Sequence, residues 1–162
     1  MNKKTSEVIR KVHEFFKEKR LTLSVAESCT GGLVSHFLTT LPGASTFFEA
    51  GVVAYSIEFK KRILGVSSET ISRQGVVSEE TAREMAEKIR VLSKTDFSLS
   101  TTGNLGPDVL EGKEKGLVYI AVSKTGQTFT KELRLKGNRE ENKEDAALEA
   151  LKLLVETVEG YT

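Results

Sequence analysis

Ala26-Glu27-Ser28-Cys29-Thr30-Gly31-Gly32 is the stretch on which the fold turns. Upstream, Leu21, Leu23 and Val25 alternate with polar neighbours, the period of a half-buried strand. Downstream, Leu33, Val34, Phe37, Leu38 and Leu41 recur at helical spacing until Pro42-Gly43 ends the run. A strand therefore runs directly into a helix, with a hydroxyl, a thiol, a second hydroxyl and a pair of glycines in the turn between them. Such a turn leaves backbone N–H groups unpaired at the positive end of a helix dipole. It can hold a phosphate, or stabilise the oxyanion formed when a hydroxyl attacks a carbonyl. The same residues also suit a plain Ser/Thr-capped helix with glycines for close packing.

The pattern on either side of this turn repeats the alternation of strand and helix. Val8, Ile9, Val12, Phe15 and Phe16 predict an amphipathic helix over about Ser6–Lys19. Phe47–Tyr55 reads as a second strand, followed by a helix capped by Ser56, running to Leu64 and stopped by Gly65. Ser78 precedes a helix carrying Ala82, Met85, Ala86, Ile89 and Leu92. Phe97, Leu99 and Thr101 alternate in a third strand that opens into Gly103-Asn104-Leu105-Gly106-Pro107-Asp108. Leu117–Val122 is apolar on both faces, as in an interior strand, and Lys124–Gln127 turns it back into a partner through Phe129, Leu133 and Leu135. Asn138 and Glu141 have capping-box spacing ahead of a last helix through Ala147, Leu151, Leu154 and Val158. Strands alternating with helices, then one late antiparallel hairpin, predict a three-layer α/β/α sandwich with a mixed, mostly parallel sheet. No repeat or linker divides the chain, so residues 1–162 read as a single domain.

A formal net charge of +1, with charged residues of both signs interspersed, gives no electrostatic reason to expect nucleic acid or an anionic membrane as partner. No apolar run reaches the length of a membrane span, and Met1-Asn2-Lys3-Lys4 lacks an apolar signal core, so a cytoplasmic location is expected. Cys29 is the single cysteine, which rules out an internal disulfide and a cysteine-rich metal site. No ligand cluster suggests a metal, and neither a phosphate-binding P-loop nor the dinucleotide glycine pattern is present.

Nucleophilic catalysis needs a hydroxyl or thiol, a base and oxyanion donors. Ser28 and Cys29 are both candidates in the turn. His13 falls near the polar edge of the first helix and His36 lies one turn into the next, each without a carboxylate partner, so both read as surface or boundary residues. A lysine whose pKa is depressed by burial is the alternative base. Lys60, in Tyr55-Ser56-Ile57-Glu58-Phe59-Lys60-Lys61, follows the second strand and so could open at the same sheet edge as Ser28. On spacing alone it is simply an exposed helix lysine.

Together with Gly43-Ala44-Ser45, Gly51-Val52-Val53-Ala54-Tyr55-Ser56, Leu64-Gly65-Val66, Gly75-Val76-Val77-Ser78 and Thr102-Gly103-Asn104-Leu105-Gly106-Pro107, these residues resemble the CinA C-terminal domain family, from Leu21 to about Leu154. The enzymatic members of that family are nicotinamide mononucleotide amidases with an α/β/α fold. The resemblance implies Ser28 as nucleophile, Lys60 as its general base, Tyr55 orienting the lysine and Ser45 assisting the hydroxyl or the oxyanion. It also implies that Thr102 and Gly103 belong to the substrate site, and that Arg139, within Lys136-Gly137-Asn138-Arg139, lies close to the bound nucleotide. Similar domains are often dimers, so a homodimer is expected, and the chain resembles the stand-alone form. Its loop Asp108–Gly116 departs from the glycine-rich pattern of similar sequences, and Lys143 stands where an arginine is common.

The function this implies is hydrolysis of the carboxamide of nicotinamide mononucleotide, without cofactor, with the oxyanion held by backbone donors of Thr30, Gly31 and Gly32. A non-catalytic nucleotide-binding domain and an amidase for another small amide are the alternatives. Ammonia release distinguishes the first reading from both.

Overall fold

The computed structural model describes residues 1–161. The chain runs α1 (Lys3–Glu18), β1 (Leu23–Glu27), α2 (Leu33–Thr40), β2 (Phe48–Val53), α3 (Ile57–Phe59), a π-helical turn (Lys60–Leu64), α4 (Ser68–Gln74), α5 (Glu79–Ser93), β3 (Phe97–Gly103), β4 (Leu117–Lys124), β5 (Gln127–Arg134) and α6 (Arg139–Glu159). The strands form one sheet in the order β2-β1-β3-β4-β5. β1 is parallel to both β2 and β3, whereas β4 is antiparallel to β3 and β5. Helices α1, α2 and α6 pack together on one face and α5, with α4 against it, covers the other. This is the three-layer α/β/α sandwich expected from the alternating pattern.

The strand preceding the key turn differs from its half-buried expectation. All five residues of β1 are buried, because helices cover both faces of the sheet. Leu23 and Val25 enter the core formed with α1, α2 and α6, while Ala26 packs with Met85 and Ile89 of α5. The polar members of the alternation face that second helix. Ser98 and Ser100 of β3 donate their hydroxyls to the carbonyls of Ala86 and Ala82, and Ser24 hydrogen-bonds Thr95 at 2.8 Å. Small side chains let α5 approach closely, and each buried hydroxyl finds a partner, so polarity here does not report exposure.

Local signals set most boundaries. Asn2 caps α1 by accepting from Thr5 N at 2.9 Å, which starts that helix earlier than its apolar period indicates. Asn138 and Glu141 form the expected capping box at α6. Helix α4 has no fully buried residue and so no strong apolar period to mark it in the sequence, and it begins on a Ser67 cap. Among the described residues no helix is long and apolar enough to cross a membrane.

β1 connects to β2 on one side of the sheet, and β3 pairs with β1 on the other. The chain thus leaves the carboxyl ends of neighbouring parallel strands in opposite directions, which opens a crevice there. Ser28, Tyr55 and Gly103 sit at or just beyond the ends of these strands.

Candidate active site

The turn after β1 is built by a buried carboxylate. Glu27, fully buried, accepts from Gly32 N (3.2 Å), Val34 N (2.9 Å) and Ser35 N (2.9 Å), and from the hydroxyls of Thr30 (2.6 Å) and Ser35 (2.8 Å). The strand's last residue therefore caps the next helix, matching its negative charge to the positive helix end. Gly31 and Gly32 adopt left-handed φ of 58° and 107°, a geometry that suits residues without a Cβ. Ser28 N donates to Thr101 O at 3.0 Å, carrying the β1–β3 ladder one residue into the turn. The result places the Ser28 side chain in the wall of the crevice.

Lys60 reaches that hydroxyl from the other side. Ser56 caps α3 by accepting from Phe59 N at 3.1 Å, and the helix then widens into the π turn, closed by Gly65 at φ 78°. Such wide turns re-aim side chains and recur at functional sites. Here the turn directs Lys60 inward, leaving it 2% exposed. Its Nζ lies 2.8 Å from Ser28 Oγ and donates to the carbonyl oxygen of Tyr55 at 2.8 Å. Burial lowers its pKa to about 8, against an upward pull from Cys29 and Glu111. A neutral amine donating to Tyr55 O can accept the Ser28 proton. Cys29, one residue on, is buried, and burial pushes its thiol up to about 12. That removes the thiolate on which cysteine nucleophilicity depends.

Above the pair lies a cavity of about 430 Å³, lined by Ser28, Cys29, Tyr55, Lys60, Val76, Thr102, Gly103, Leu105, Leu110, Glu111 and Arg139 among others. This volume suits a small-molecule ligand. Arg139, in the first turn of α6, donates to Gly106 O at 2.6 Å and to the Tyr55 hydroxyl at 3.2 Å. Both partners are neutral oxygens, so the guanidinium keeps its charge for an anion.

A model of the CinA C-terminal domain matches residues 5–158. The chain belongs to the CinA C-terminal domain family. It is 44% identical over 150 residues to a protein of Caldanaerobacter subterraneus subsp. tengcongensis named as competence-damage inducible, covering 92% of this chain and 36% of that protein. A Bacillus subtilis protein of the same name is 46% identical over 123 residues, covering 76% of this chain and 30% of its own length. The chain thus spans about a third of the length of these curated relatives. Among solved structures, competence damage-inducible protein A from Klebsiella pneumoniae superposes with a TM-score of 0.95 at 32% identity, over 98% of this chain and 99% of that one. A competence/damage inducible protein from Agrobacterium tumefaciens gives 0.93 at 33% identity, covering 96% of each chain.

Within this family member, Ser28, Lys60, Tyr55, Thr102, Gly103 and Arg139 converge on one cavity. The structure places the other expected residues as follows. Thr30 is fully buried between Glu27 and Thr101, and Gly31 N donates to Ser28 O at 3.1 Å. With Gly32 N taken by Glu27, the helix-start donors assigned to an oxyanion at Thr30–Gly32 are largely committed elsewhere. Cys29, immediately after Ser28, also lines the cavity. Ser45 lies in the short 3-10 turn Ala44–Thr46 before β2. Because β2 runs parallel to β1, that places Ser45 at the opposite end of the sheet from Ser28 in the same chain. Tyr55 accepts from Lys60 Nζ through its carbonyl oxygen, and its hydroxyl accepts from Arg139. Thr102 lines the cavity but commits its hydroxyl hydrogen to Val76 O at 2.7 Å. His13, expected near the surface, is buried with Nε2 2.8 Å from Leu38 O and its ring edge against Phe47.

Sequence reasoning missed Glu27, whose signal was a carboxylate ending an apolar strand directly before a helix start. It also missed Glu111 and Lys113, which cross-link the 108–116 loop to the 74–77 segment. One consequence is directly testable. Tyr55→Phe keeps the carbonyl that holds Lys60 and loses only a solvent-exposed bond to Arg139, so turnover is expected to fall by less than about tenfold. Steady-state kinetics check this, and a loss comparable to that of Lys60→Ala would show that the phenol acts on the lysine after all.

Proposed function

We propose that this chain hydrolyses the carboxamide of nicotinamide mononucleotide to nicotinic acid mononucleotide and ammonia. The observation that carries the reading is the 2.8 Å contact between Ser28 Oγ and a buried lysine amine at the floor of a nucleotide-sized cavity. The family membership and its implied amidase activity support it.

In this mechanism neutral Lys60 takes the Ser28 proton as Oγ attacks the amide carbon. The carbonyl oxygen becomes the tetrahedral oxyanion, facing the Cys29 N–H. The C–N bond then breaks, the Lys60 ammonium delivers its proton to the departing nitrogen, and ammonia leaves an ester on Ser28. Water, deprotonated by the same amine, attacks that ester. Collapse returns the proton to Ser28 Oγ and releases the carboxylic acid. Tyr55 O holds the amine on line throughout. In heavy-oxygen water, mass spectrometry of the product is expected to show one heavy oxygen in its new carboxyl group. Unaltered nicotinamide mononucleotide after prolonged incubation would reject the proposal.

Arg139 reads the phosphate in this account. Its positive charge and the N-terminus of α6 both favour an anion there. Arg139→Ala is expected to weaken nicotinamide mononucleotide binding roughly tenfold to a hundredfold, as for a lost charge-assisted contact, and to leave nicotinamide riboside binding much less affected. Calorimetric titration of both ligands tests this. Equal losses would mean that Arg139 shapes the cavity through Gly106 and Tyr55 without reading the phosphate.

A further inference from the structure

The loop 108–116 places a fixed charge in the cavity wall. Glu111 adopts a left-handed φ of 59°, uncommon for a residue with a Cβ, and turns its side chain back onto the segment that follows α4. Its carboxylate accepts from Val76 N at 2.7 Å and Val77 N at 3.0 Å, with Lys113 Nζ 3.3 Å away. The seat depends on Gly75, where a Cβ would come within 2.4 Å of the carboxylate. Asn104 secures the loop from below by accepting from Leu110 N at 2.9 Å. Burial alone would raise the Glu111 pKa, but the Val77 and Val76 N–H groups and Lys113 outweigh it and hold the carboxyl below its usual range. Glu111 is therefore a preorganised carboxylate, and its charge is felt at Lys60 across the cavity.

Resting on the amidase reading of this site, we propose that Glu111 is a specificity-determining residue that selects amides whose carboxamide is attached to a fixed positive charge, such as a pyridinium ring. The working form of Lys60 is neutral, so the charges presented to a ligand are the Glu111 carboxylate in the same cavity wall, Asp108 on the exposed rim and the Arg139 guanidinium. A pyridinium nucleotide complements this arrangement, with its cationic ring next to the reacting amide and its phosphate toward Arg139. A cationic ring near Lys60 also disfavours the protonated amine, so the same ligand promotes the base form. A neutral ring gains neither effect.

The test compares nicotinamide mononucleotide with its reduced dihydronicotinamide form, which keeps the amide and the phosphate but has a neutral ring. Binding is measured calorimetrically in a Ser28→Ala background, where no turnover intervenes. The unaltered wall is expected to favour the oxidised form by roughly tenfold to a hundredfold. Glu111→Gln is expected to abolish that preference, mainly by weakening the oxidised form. Lys113→Met loosens the loop yet keeps the carboxylate, and is expected to keep the preference. An absent preference in the unaltered wall, equal losses for both ligands in Glu111→Gln, or loss of the preference in Lys113→Met would each overturn the proposal. Ammonia release by the Ser28 protein separates the two readings. A preference in binding without ammonia release rejects the amidase reading and leaves charge selection by Glu111 standing.

Discussion

Replacing Ser28 with alanine is expected to cut ammonia release from nicotinamide mononucleotide by about a thousandfold or more, the usual scale for loss of a nucleophile. The fold and most of the nucleotide binding should survive. The backbone bond from Ser28 N to Thr101 O does not involve the lost hydroxyl, and the turn is held by Glu27. Cys29→Ala is expected to stay within about threefold of the parent, because a thiol raised to about 12 by burial supplies almost no thiolate near neutral pH. Steady-state rates of both variants decide between the adjacent residues. An inactive Cys29→Ala beside an active Ser28→Ala would transfer the nucleophile to the thiol and contradict the geometry of the Lys60 contact.

Lys60 substitutions should be equally severe and more diagnostic. Lys60→Ala and Lys60→Arg are both expected to lose about two to four orders of magnitude in kcat/KM, the range of general-base contributions. Arginine keeps the positive charge but does not give up a proton near neutral pH. A lysine acting only as an electrostatic anchor would tolerate that change, whereas Lys61→Ala, outside the cavity lining, should be close to neutral. The sign of the pH dependence follows from the same burial. In the proposed mechanism the neutral amine is the working form, so parent kcat/KM should rise as pH passes the Lys60 pKa of about 8 and then level off. Burial also has a stability consequence. A pKa lowered from 10.5 to about 8 means that the unfolded chain binds the proton more tightly. Below pH 8 this costs the folded state about 3 kcal/mol, and the cost fades between pH 8 and 10.5. Lys60→Met should therefore melt higher than the parent at pH 7, with the gap closing at alkaline pH. Parallel melting curves across that range would show that the amine is not desolvated.

The architecture was legible because alternation and capping are local signals. The capping box at Asn138 and Glu141, the Ser56 cap and the Gly65 stop all lie where their residue types place them. Burial was less legible. Ser24, Ser98 and Ser100 look like the wet face of a strand, yet they are buried because α5 offers its carbonyls to their hydroxyls. Proximity in space was least legible of all. Periodicity gives Lys60 an ordinary helix position, and only the π turn aims it at Ser28, across 32 residues of sequence. Glu27 shows the same limit from the other direction. It reads as one more residue of the turn motif, but its five hydrogen bonds gather the hydroxyls and N–H groups of the helix start. Ser45, in a stretch of its own that belongs to the same resemblance, lies at the far end of the sheet, because a parallel strand separates it from the site residues.

The measurement that bears most directly on the Ser28–Lys60 account is ammonia release by the purified chain from nicotinamide mononucleotide, followed across pH with Ser28→Ala alongside. The account predicts ammonia and nicotinic acid mononucleotide in equal amounts, a rate that climbs through about pH 8, and no release above background from Ser28→Ala. Tight nucleotide binding without ammonia at any pH, or parent-like release from Ser28→Ala, would contradict it.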